Sequence, residues 1–255
     1  MIAREDEDIS RAVAEILKDE KIDVRVNSKV VAVGKRDNDI VVTLESGGEK
    51  SQIIGSHLLL AIGRRPNTDD LGLDKAGVAT NSRGYIEVDD QLCTNVPGIW
   101  ALGDCNGKGA FTHTTWNDYE IVAANLLDND ARRVSDRITA YALYTDPPLG
   151  RAGMTEAEVR KTGRPALIAT MAMEDVSRAF EKGETKGFMK ILVDTETKQI
   201  LGASLLGLSG DEVIHCILDV MYAKAPYTVL QRAMHIHPTV SEFIPTMLGD
   251  LRPLS

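Results

Sequence analysis

The chain carries its most specific stretch at residues 94–104, which read Thr94-Asn95-Val96-Pro97-Gly98-Ile99-Trp100-Ala101-Leu102-Gly103-Asp104. A short apolar strand ends here in a glycine that lets a ligand approach the backbone, and the following carboxylate can accept two hydroxyl hydrogen bonds. Taken alone, Asp104 is better explained as a turn or N-cap aspartate. The stretch predicts a ligand site only together with the residues that follow it.

Downstream, a predicted helix over 112–129 opens with Ala110-Phe111-Thr112-His113. The amino end of a helix offers unpaired N–H groups and a partial positive charge, which suit an electron-rich ligand atom. A strand, a glycine, a carboxylate and a helix start in this order predict a site for a hydroxyl-bearing ligand near Asp104.

Upstream, the pattern predicts one helix and a series of strands. Residues 6–20 form an amphipathic helix by pattern, with an apolar stripe made of Ile9, Val13, Ile16 and Leu17. Short strands are predicted at 22–26, 29–33, 39–44 and 51–54, since polar or glycine turns separate their valines and isoleucines. The continuous apolar run at 57–62 predicts a strand that is covered on both faces.

Further along the chain, two short strands are predicted at 85–88 and 98–102, and residues 130–138 read as a charged linker. A different architecture begins near Thr139, where strands alternate with one-sided helices and predict an α+β unit. Its predicted strands lie at 141–145, 166–173, 188–193 and 200–206, and its predicted helices start at Thr155 and span 211–223.

A second chemical motif is His235-Ile236-His237-Pro238-Thr239-Val240-Ser241-Glu242. Pro238 disfavours helical geometry at His237 and starts a predicted helix after it, which leaves His237 free to fold back towards Glu242. A carboxylate on one ring nitrogen orients the imidazole and leaves the other nitrogen free for proton transfer. The alternative, favoured by this octapeptide alone, is a histidine that serves only as a helix N-cap.

Composition excludes several classes of protein. With 255 residues, 43% of them apolar, a net charge of −9 and no long apolar segment, the chain is predicted to have neither nucleic acid nor a membrane as its main partner. Cys93, Cys105 and Cys216 are widely spaced and form no metal-like cluster, so no metal site is expected and a reducing cytoplasm is predicted. Each cysteine is most simply a small buried apolar residue.

These motifs together resemble the pyridine nucleotide–disulfide oxidoreductases, the group that includes lipoamide dehydrogenase, glutathione reductase and mercuric reductase. Residues 94–104 resemble the second FAD motif of that family, and Ala61-Ile62-Gly63-Arg64-Arg65-Pro66-Asn67 is similar to the segment that closes its NAD domain. Tyr144-Thr145-Asp146-Pro147 looks like the opening of its interface domain, and His237-Pro238-Thr239 with Glu242 matches its catalytic histidine and carboxylate.

The resemblance implies a fold and a set of cofactor contacts. The fold class would be mixed α/β and α+β, with residues 1–67 as the C-terminal half of an NAD-binding domain, 68–136 as the returning part of an FAD-binding domain and 137–255 as a dimerisation domain. Asp104 would bind the ribitol of FAD, and Gly103 would allow close approach. The backbone of Ala110, Phe111, Thr112 and His113 would lie beside the flavin, and Gly63 would lie near the nicotinamide dinucleotide.

The resemblance also implies an electron-transfer function. The parent enzyme would move electrons from NAD(P)H through FAD to a disulfide or a related small-molecule or protein acceptor. His237 would exchange protons with a substrate thiol, oriented by Glu242, at the flavin site of the other subunit of a homodimer. The family's redox cysteine pair and its glycine-rich loops find no match in this sequence, so the chain resembles a C-terminal portion that is inactive alone. The alternative is a non-catalytic dimerisation module that binds neither FAD nor NAD(P).

Overall fold

The structure is a computed structural model and describes residues 2–254. The chain divides into two compact units. One unit consists of Ala32–Val42 and Gln52–Arg137, and the other takes the rest of the described chain. The second of these contains most of the regular secondary structure, so its sheet is described first.

The larger unit is built on a six-stranded sheet in the order β4-β5-β8-β7-β6-β9, in which every pair of neighbours is antiparallel. Its strands are β4 (Ala140–Leu143), β5 (Leu149–Gly153), β6 (Ala166–Ala172), β7 (Phe188–Asp194), β8 (Ile200–Leu206) and β9 (Arg252–Pro253). The predicted hairpin of 188–193 and 200–206 is confirmed, since β7 and β8 are antiparallel neighbours; both strands are mostly apolar and a polar turn separates them.

Helices cover both faces of this sheet. The helices that follow β4 in this unit are α4 (Glu156–Thr162), α5 (Ser177–Lys182), α6 (Gly210–Tyr222), α7 (Thr228–Arg232) and α8 (Phe243–Gly249). Ile191 of β7 and Leu205 of β8 share one apolar core with Ile214 of α6 and Ile244 of α8. On the other face, Leu192 packs with Val159 of α4. Burial on both faces explains why β7 is apolar along nearly all its length.

The N-terminal helix α1 (Glu7–Asp19) packs on this same sheet. Its predicted stripe is largely confirmed, since Ile9, Val13 and Ile16 are buried against Leu149 of β5 and Leu206 of β8. The helix therefore shares a core with strands that follow it by more than 120 residues.

Buried charges accompany this docking and form what we call the α1 ionic cluster. Lys190 of β7 and Arg151 of β5 are each 1% exposed as side chains, and both face carboxylates from the start of α1. Lys190 Nζ lies 3.0 Å from Asp6 and 2.8 Å from Asp8, and Arg151 pairs with Glu5. The other members of the cluster are Tyr141, whose hydroxyl donates to Glu5, and Glu156.

Three strands after α1 form a separate meander in the order β1-β2-β3, with β1 at Lys29–Arg36, β2 at Asp39–Ser46 and β3 at Glu49–Gly55. These are three of the four strands predicted here. The fourth, predicted at 22–26, is wrong, since that segment is irregular chain after the end of α1. Its apolar residues Ile22 and Val26 are about half exposed and have no sheet to join.

The predicted buried strand at 57–62 is also wrong. The segment has no regular structure, and Leu59 and Ile62 are 88% and 91% exposed. A strand covered on both faces needs neighbours to pair with, and no strand between residues 2 and 254 pairs with this one. An apolar sequence alone does not supply those partners.

The unit around Asp104 is held mainly by turns and a small core. Its helices are α2 (Leu73–Ala76) and α3 (Thr112–Ala123), and α3 continues as a wider turn over Ala124–Asp128. The strands predicted at 85–88 and 98–102 are reduced to single bridges, Thr80 to Ile86 and Cys93 to Trp100. Val78, Ile86 and Ala101 form the buried centre of this region.

Candidate functional site

The loop that carries Asp104 is a one-turn 3-10 helix over Gly103–Asn106. Backbone hydrogen bonds set its position, because the amide of Ala101 donates to Leu92 and the carbonyl of Cys105 accepts from Ile86. The side chain of Asp104 is half exposed, at 50%. The sequence pattern therefore places an accessible carboxylate directly after a buried segment.

Gly103 fits the loop because no other residue suits its backbone and its surroundings. Its φ is +80°, a left-handed conformation that side chains rarely adopt. A Cβ built there would lie 2.9 Å from the Cγ2 atom of Thr115. The glycine brings the loop into close contact with α3, so the carboxylate and the start of that helix belong to one packed element.

Arg64 links Asp104 to the start of α3, a contact that sequence reasoning missed. Its guanidinium donates to the Asp104 carboxylate at 2.9 Å and to the carbonyl oxygen of Ala110 at 3.0 Å. The predicted cofactor residue Gly63 is the preceding residue and lies on the same exposed segment. Arg64 belongs to a quoted motif but is 40 residues from Asp104 in sequence, a separation at which local spacing carries no signal.

The start of α3 lies where the sequence predicts it. Phe111 is the N-cap residue and Thr112 the first helical residue. The Thr114 hydroxyl donates to the carbonyl of Phe111 at 2.7 Å, and the ring of His113 stacks on that of Phe111 with centroids 5.1 Å apart. These contacts fix the backbone of Ala110 to His113 as the amino end of the helix.

A buried carboxylate lies beneath the Asp104 loop. Asp118 of α3 is 2% exposed as a side chain and accepts hydrogen bonds from the Gly103 amide and from the Asn106 side chain, each at 2.8 Å. Its second oxygen faces Arg137 at 2.5 Å. Sequence reasoning missed both Asp118 and Arg137. The available signal was that Asp118 lies one helical turn after Thr115, on the same face of α3.

The residues around Asp104 fit a ligand that carries both hydroxyl groups and negative charge. A half-exposed carboxylate accepts hydrogen bonds from hydroxyls, and the Arg64 guanidinium, 66% exposed, provides an accessible positive charge beside it. The amino end of α3 adds a partial positive charge. FAD has hydroxyl groups and negative charge, so the Asp104 carboxylate, the Arg64 guanidinium and the start of α3 are complementary to it.

The second candidate site consists of His237 and Glu242, in the unit that holds the six-stranded sheet. His237 Nδ1 lies 3.1 Å from Oε1 and 3.0 Å from Oε2 of Glu242. The imidazole side chain is 73% exposed and the carboxylate only 17% exposed. A proton on Nδ1 donates to the carboxylate, which leaves Nε2 as the nitrogen that can exchange protons with a partner molecule.

Glu242 is held by its own backbone contacts. Its carboxylate accepts from the amide of Thr239 at 3.1 Å, and the Thr239 hydroxyl accepts from the amide of Glu242 at 3.3 Å. The prediction that a helix starts at Pro238 is wrong, because α8 begins at Phe243 and Glu242 is its N-cap residue. Thr239 and Glu242 instead satisfy each other's amide in a turn immediately before α8.

Two of the three cysteines are poorly suited to act as nucleophiles. Cys93, Cys105 and Cys216 are free thiols and each is only partly buried, rather than fully buried as predicted. Burial raises the pKa of the Cys216 thiol to about 11 and also raises the pKa of the Cys105 thiol. Both therefore stay protonated at neutral pH, and a protonated thiol is a poor nucleophile.

Across residues 2–254, no group of three or more His, Cys, Asp or Glu side chains is arranged to hold a metal ion. Among the helices of this part of the chain, none has the length and apolar character to cross a bilayer.

Two family models match the sequence. The model described as pyridine nucleotide-disulphide oxidoreductase matches residues 1–119, and the model described as the dimerisation domain of the same oxidoreductases matches residues 139–248. Together they account for most of the chain.

Curated relatives match along nearly all of this chain. A probable pyridine nucleotide-disulfide oxidoreductase, RclA of Escherichia coli strain K12, is 37% identical over 94% of this chain and 54% of its own length. The mercuric reductase of Streptomyces lividans is 30% identical over 100% of this chain and 55% of its own length. The dihydrolipoyl dehydrogenase of Thermus scotoductus is 31% identical over 93% and 51%. The chain thus spans about half the length of the curated relatives it matches.

Solved structures agree in fold. The HOCl-induced flavoprotein disulfide reductase RclA from Escherichia coli superposes with a TM-score of 0.91 at 36% identity, over 98% of this chain and 57% of that one. The predicted fold class, a partial dinucleotide-binding region followed by an α+β dimerisation domain, is confirmed by this match together with the two family models.

Proposed function

The chain belongs to the pyridine nucleotide–disulfide oxidoreductases, and from this premise we propose that it forms part of a flavoprotein that transfers electrons from NAD(P)H through FAD to a disulfide or a related acceptor. FAD supplies the two-electron chemistry that joins nicotinamide to disulfide. The proposed flavoprotein contains these 255 residues together with the segments that its relatives have in addition.

We assign the FAD contacts of this chain to the loop and helix around Asp104. The Asp104 carboxylate accepts hydrogen bonds from ribitol hydroxyls, and Gly103 permits the close approach. The backbone of Ala110, Phe111, Thr112 and His113 presents the positive end of α3 to the flavin. This assignment is supported by the half-exposed Asp104 carboxylate, which accepts from Arg64 at 2.9 Å and lies beside the start of α3. Gly63, next to Arg64, is proposed to lie near the nicotinamide dinucleotide.

The observation that carries the catalytic proposal is the contact of His237 with Glu242 at 3.0 Å on a ring that is 73% exposed. A carboxylate on Nδ1 fixes the tautomer, so Nε2 points its lone pair away from the carboxylate and can take the proton of a substrate thiol. His237 is the proposed acid/base residue, and Glu242 orients it. This pairing suits thiol–disulfide exchange, in which the thiolate is the reactive form.

We further propose that residues 1–67, 68–136 and 137–255 serve the NAD-binding, FAD-binding and dimerisation parts of that protein. The match of residues 139–248 to a dimerisation domain supports a homodimer, in which His237 acts at the flavin site of the partner subunit. Three free cysteines are in keeping with a reducing cytoplasm as its location.

His237→Ala in the flavoprotein tests the catalytic proposal. We expect the thiol–disulfide half-reaction to slow by about 10²–10⁴-fold, the usual contribution of a positioned acid/base. The reduction of flavin by nicotinamide should stay near the wild-type rate, since it does not need this proton. Anaerobic rapid mixing measures the two half-reactions separately.

His235→Ala is the matched control, because its Nδ1 contacts only the carbonyl of Ala233, at 3.2 Å, among the bonds described for the ring. It should leave both half-reactions near the wild-type rate. Glu242→Gln should slow the disulfide half-reaction by less than His237→Ala, since the orienting contact is weakened while the imidazole remains. Equal loss of both half-reactions in His237→Ala would remove His237 from the proposed role.

A second candidate function is a dimerisation module that is inactive by itself. It is favoured by the sequence, in which no two of the three cysteines are spaced like the family's redox pair. Adding FAD, NADH and a disulfide to the 255-residue chain tests this second function. Turnover of a disulfide by the chain alone excludes the module, and its absence together with a stable dimer supports it.

A further inference from the structure

We infer that Asp118 is a positioning residue of the flavin site, which sets the backbone of Gly103 and thereby aims the Asp104 carboxylate at the ribitol of FAD. The inference rests on the proposed function, since it concerns how the cofactor carboxylate is held. Asp118 touches no cofactor itself, because its side chain is 2% exposed.

The carboxylate of Asp118 accepts two hydrogen bonds from the loop. One oxygen accepts from the amide of Gly103 and from the side-chain amide of Asn106, each at 2.8 Å, so both ends of the 3-10 turn are fixed to the same atom. Asp104 lies between these two residues. Its direction therefore depends on the conformation that this shared acceptor imposes.

Packing acts on the same glycine from the same helix. Thr115 lies three residues before Asp118. A Cβ built on Gly103 would approach the Cγ2 atom of Thr115 to 2.9 Å. Positions i and i+3 lie on one face of a helix. A steric contact from Thr115 and a charged hydrogen bond from Asp118 thus fix Gly103 to α3, and with it the separation between Asp104 and the amino end of that helix.

Arg137 makes a buried negative charge tolerable here. It faces the second oxygen of Asp118 at 2.5 Å and is itself only 13% exposed. Its Nε atom also donates to Asn117 at 2.9 Å, so the guanidinium is fixed in its turn. A charged acceptor binds an amide more strongly than a neutral one, so ionisation of Asp118 strengthens its hold on the loop.

The first arm of the test needs no cofactor. Amide hydrogen exchange of Gly103 is measured in the 255-residue chain and in its Asp118→Asn variant, in which the side chain keeps its size but loses its charge. We expect the exchange of this amide to accelerate by about tenfold or more, since a hydrogen bond to a charged group is lost. Asp128→Asn, a change of an exposed carboxylate in the turn that continues the same helix, should leave it unaltered. Unchanged exchange in Asp118→Asn overturns the inference.

The second arm uses the FAD-loaded flavoprotein. Asp118→Asn should raise the dissociation constant of FAD by about tenfold and shift the visible absorption of the bound flavin, while Asp128→Asn changes neither. Wild-type affinity and spectrum in Asp118→Asn, with faster exchange of Gly103, overturn the positioning role and leave the proposed function standing. A wild-type protein that binds no FAD removes the proposed function and the inference with it.

Arg137→Lys is the second variant if Asp118→Asn prevents folding. It keeps the positive charge but loses the planar fork that faces the carboxylate. The same changes in Gly103 exchange and FAD affinity are expected by a smaller factor. Unchanged values for both in a folded Arg137→Lys protein overturn the inference.

Discussion

A side chain at Gly103 would meet two separate obstacles, one in its backbone and one in its packing. The residue has φ +80°, and a Cβ would lie 2.9 Å from Thr115. Gly98 isolates the first obstacle. It has φ +84°, and a Cβ built there meets nothing within 4 Å in the described structure apart from its chain neighbours. The two glycines separate backbone strain from steric conflict.

We predict that Gly98→Ala lowers the free energy of unfolding by about 1–2 kcal/mol, the ordinary cost of the left-handed conformation for an L-residue. Gly103→Ala should cost about 2–4 kcal/mol, because the displacement of Thr115 adds an overpacking penalty. Denaturant unfolding of the two variants measures the difference. Equal losses would mean that Thr115 moves aside freely and that α3 does not hold the loop by contact.

The docking of α1 belongs to the scale of whole elements. Lys190 is 1% exposed and faces Asp6, Asp8 and Glu156 within 3.3 Å. We predict that Lys190→Met costs about 3–5 kcal/mol of unfolding free energy, since it removes the nearest counter-charge of the buried Asp6 carboxylate and the partner of Asp8. Chemical denaturation of the purified variant provides the measurement.

Lys186→Met is the control for that variant, because it also removes a lysine paired with α1. Lys186 lies 2.9 Å from Asp19, but both side chains are about half exposed or more. Solvent screening limits such a pair to about 1 kcal/mol or less. A loss in Lys190→Met as small as that in Lys186→Met would show that the ionic cluster does not stabilise the docking of α1.

Asp6 makes this docking depend on pH. Burial favours the protonated form, but the amides of Glu156 and Ala157 and the Lys190 ammonium outweigh it, so the pKa of Asp6 lies below its ordinary 3.8. A carboxyl whose pKa is lowered by folding stabilises the fold above its unfolded pKa and loses that contribution as the pH falls through its folded pKa. We therefore predict that stability falls as the pH drops below about 4. Asp6→Asn should flatten this part of the curve of unfolding free energy against pH, and an unchanged curve would contradict the assignment.

Elements were predictable where local pattern and tertiary environment agree. The strands β7 and β8 are mostly apolar, flank a polar turn and lie where predicted. The strand β5 was missed, because Leu149-Gly150-Arg151-Ala152-Gly153 carries little strand signal. It forms because its neighbours β4 and β8 pair with it. Gly150 also lets α6 pack closely on the strand, since a Cβ there would lie 2.2 Å from a backbone oxygen of α6. The false strand at 57–62 shows the reverse case, strong local pattern without partners.

The contacts of the candidate site likewise include some that the sequence predicts and some that it misses. His237 and Glu242 are five residues apart, and a proline between them suggested their contact from the sequence. Arg64 and Asp104 are 40 residues apart, and Gly103 and Asp118 are 15 apart, so folding alone brings them together. The sequence identifies groups that act through a local turn, and misses the cations and buried acids that hold those groups in place.

At the scale of the whole molecule, an exposed apolar segment adjoins His237. Met234 is 98% exposed and Ile236 is 79% exposed, although neither residue type favours water. Both lie in the part of the chain that matches a dimerisation domain. An apolar segment beside a residue proposed to act at the flavin site of a partner subunit is expected to be covered by that subunit.

We predict that the wild-type chain is a dimer in solution and that the double variant Met234→Asp, Ile236→Asp raises its dissociation constant by about 10⁴-fold or more in sedimentation equilibrium. Each side chain loses about 1.5–3 kcal/mol of burial in each of two symmetric copies, and each 1.4 kcal/mol corresponds to tenfold. Phe180→Asp is the control, since Phe180 of α5 is 75% exposed but lies outside the His237 segment. If Phe180→Asp dissociates the dimer and the double variant does not, the interface lies elsewhere on this unit. His237 would then have no partner subunit to act upon, and its catalytic role would have to be served within one chain.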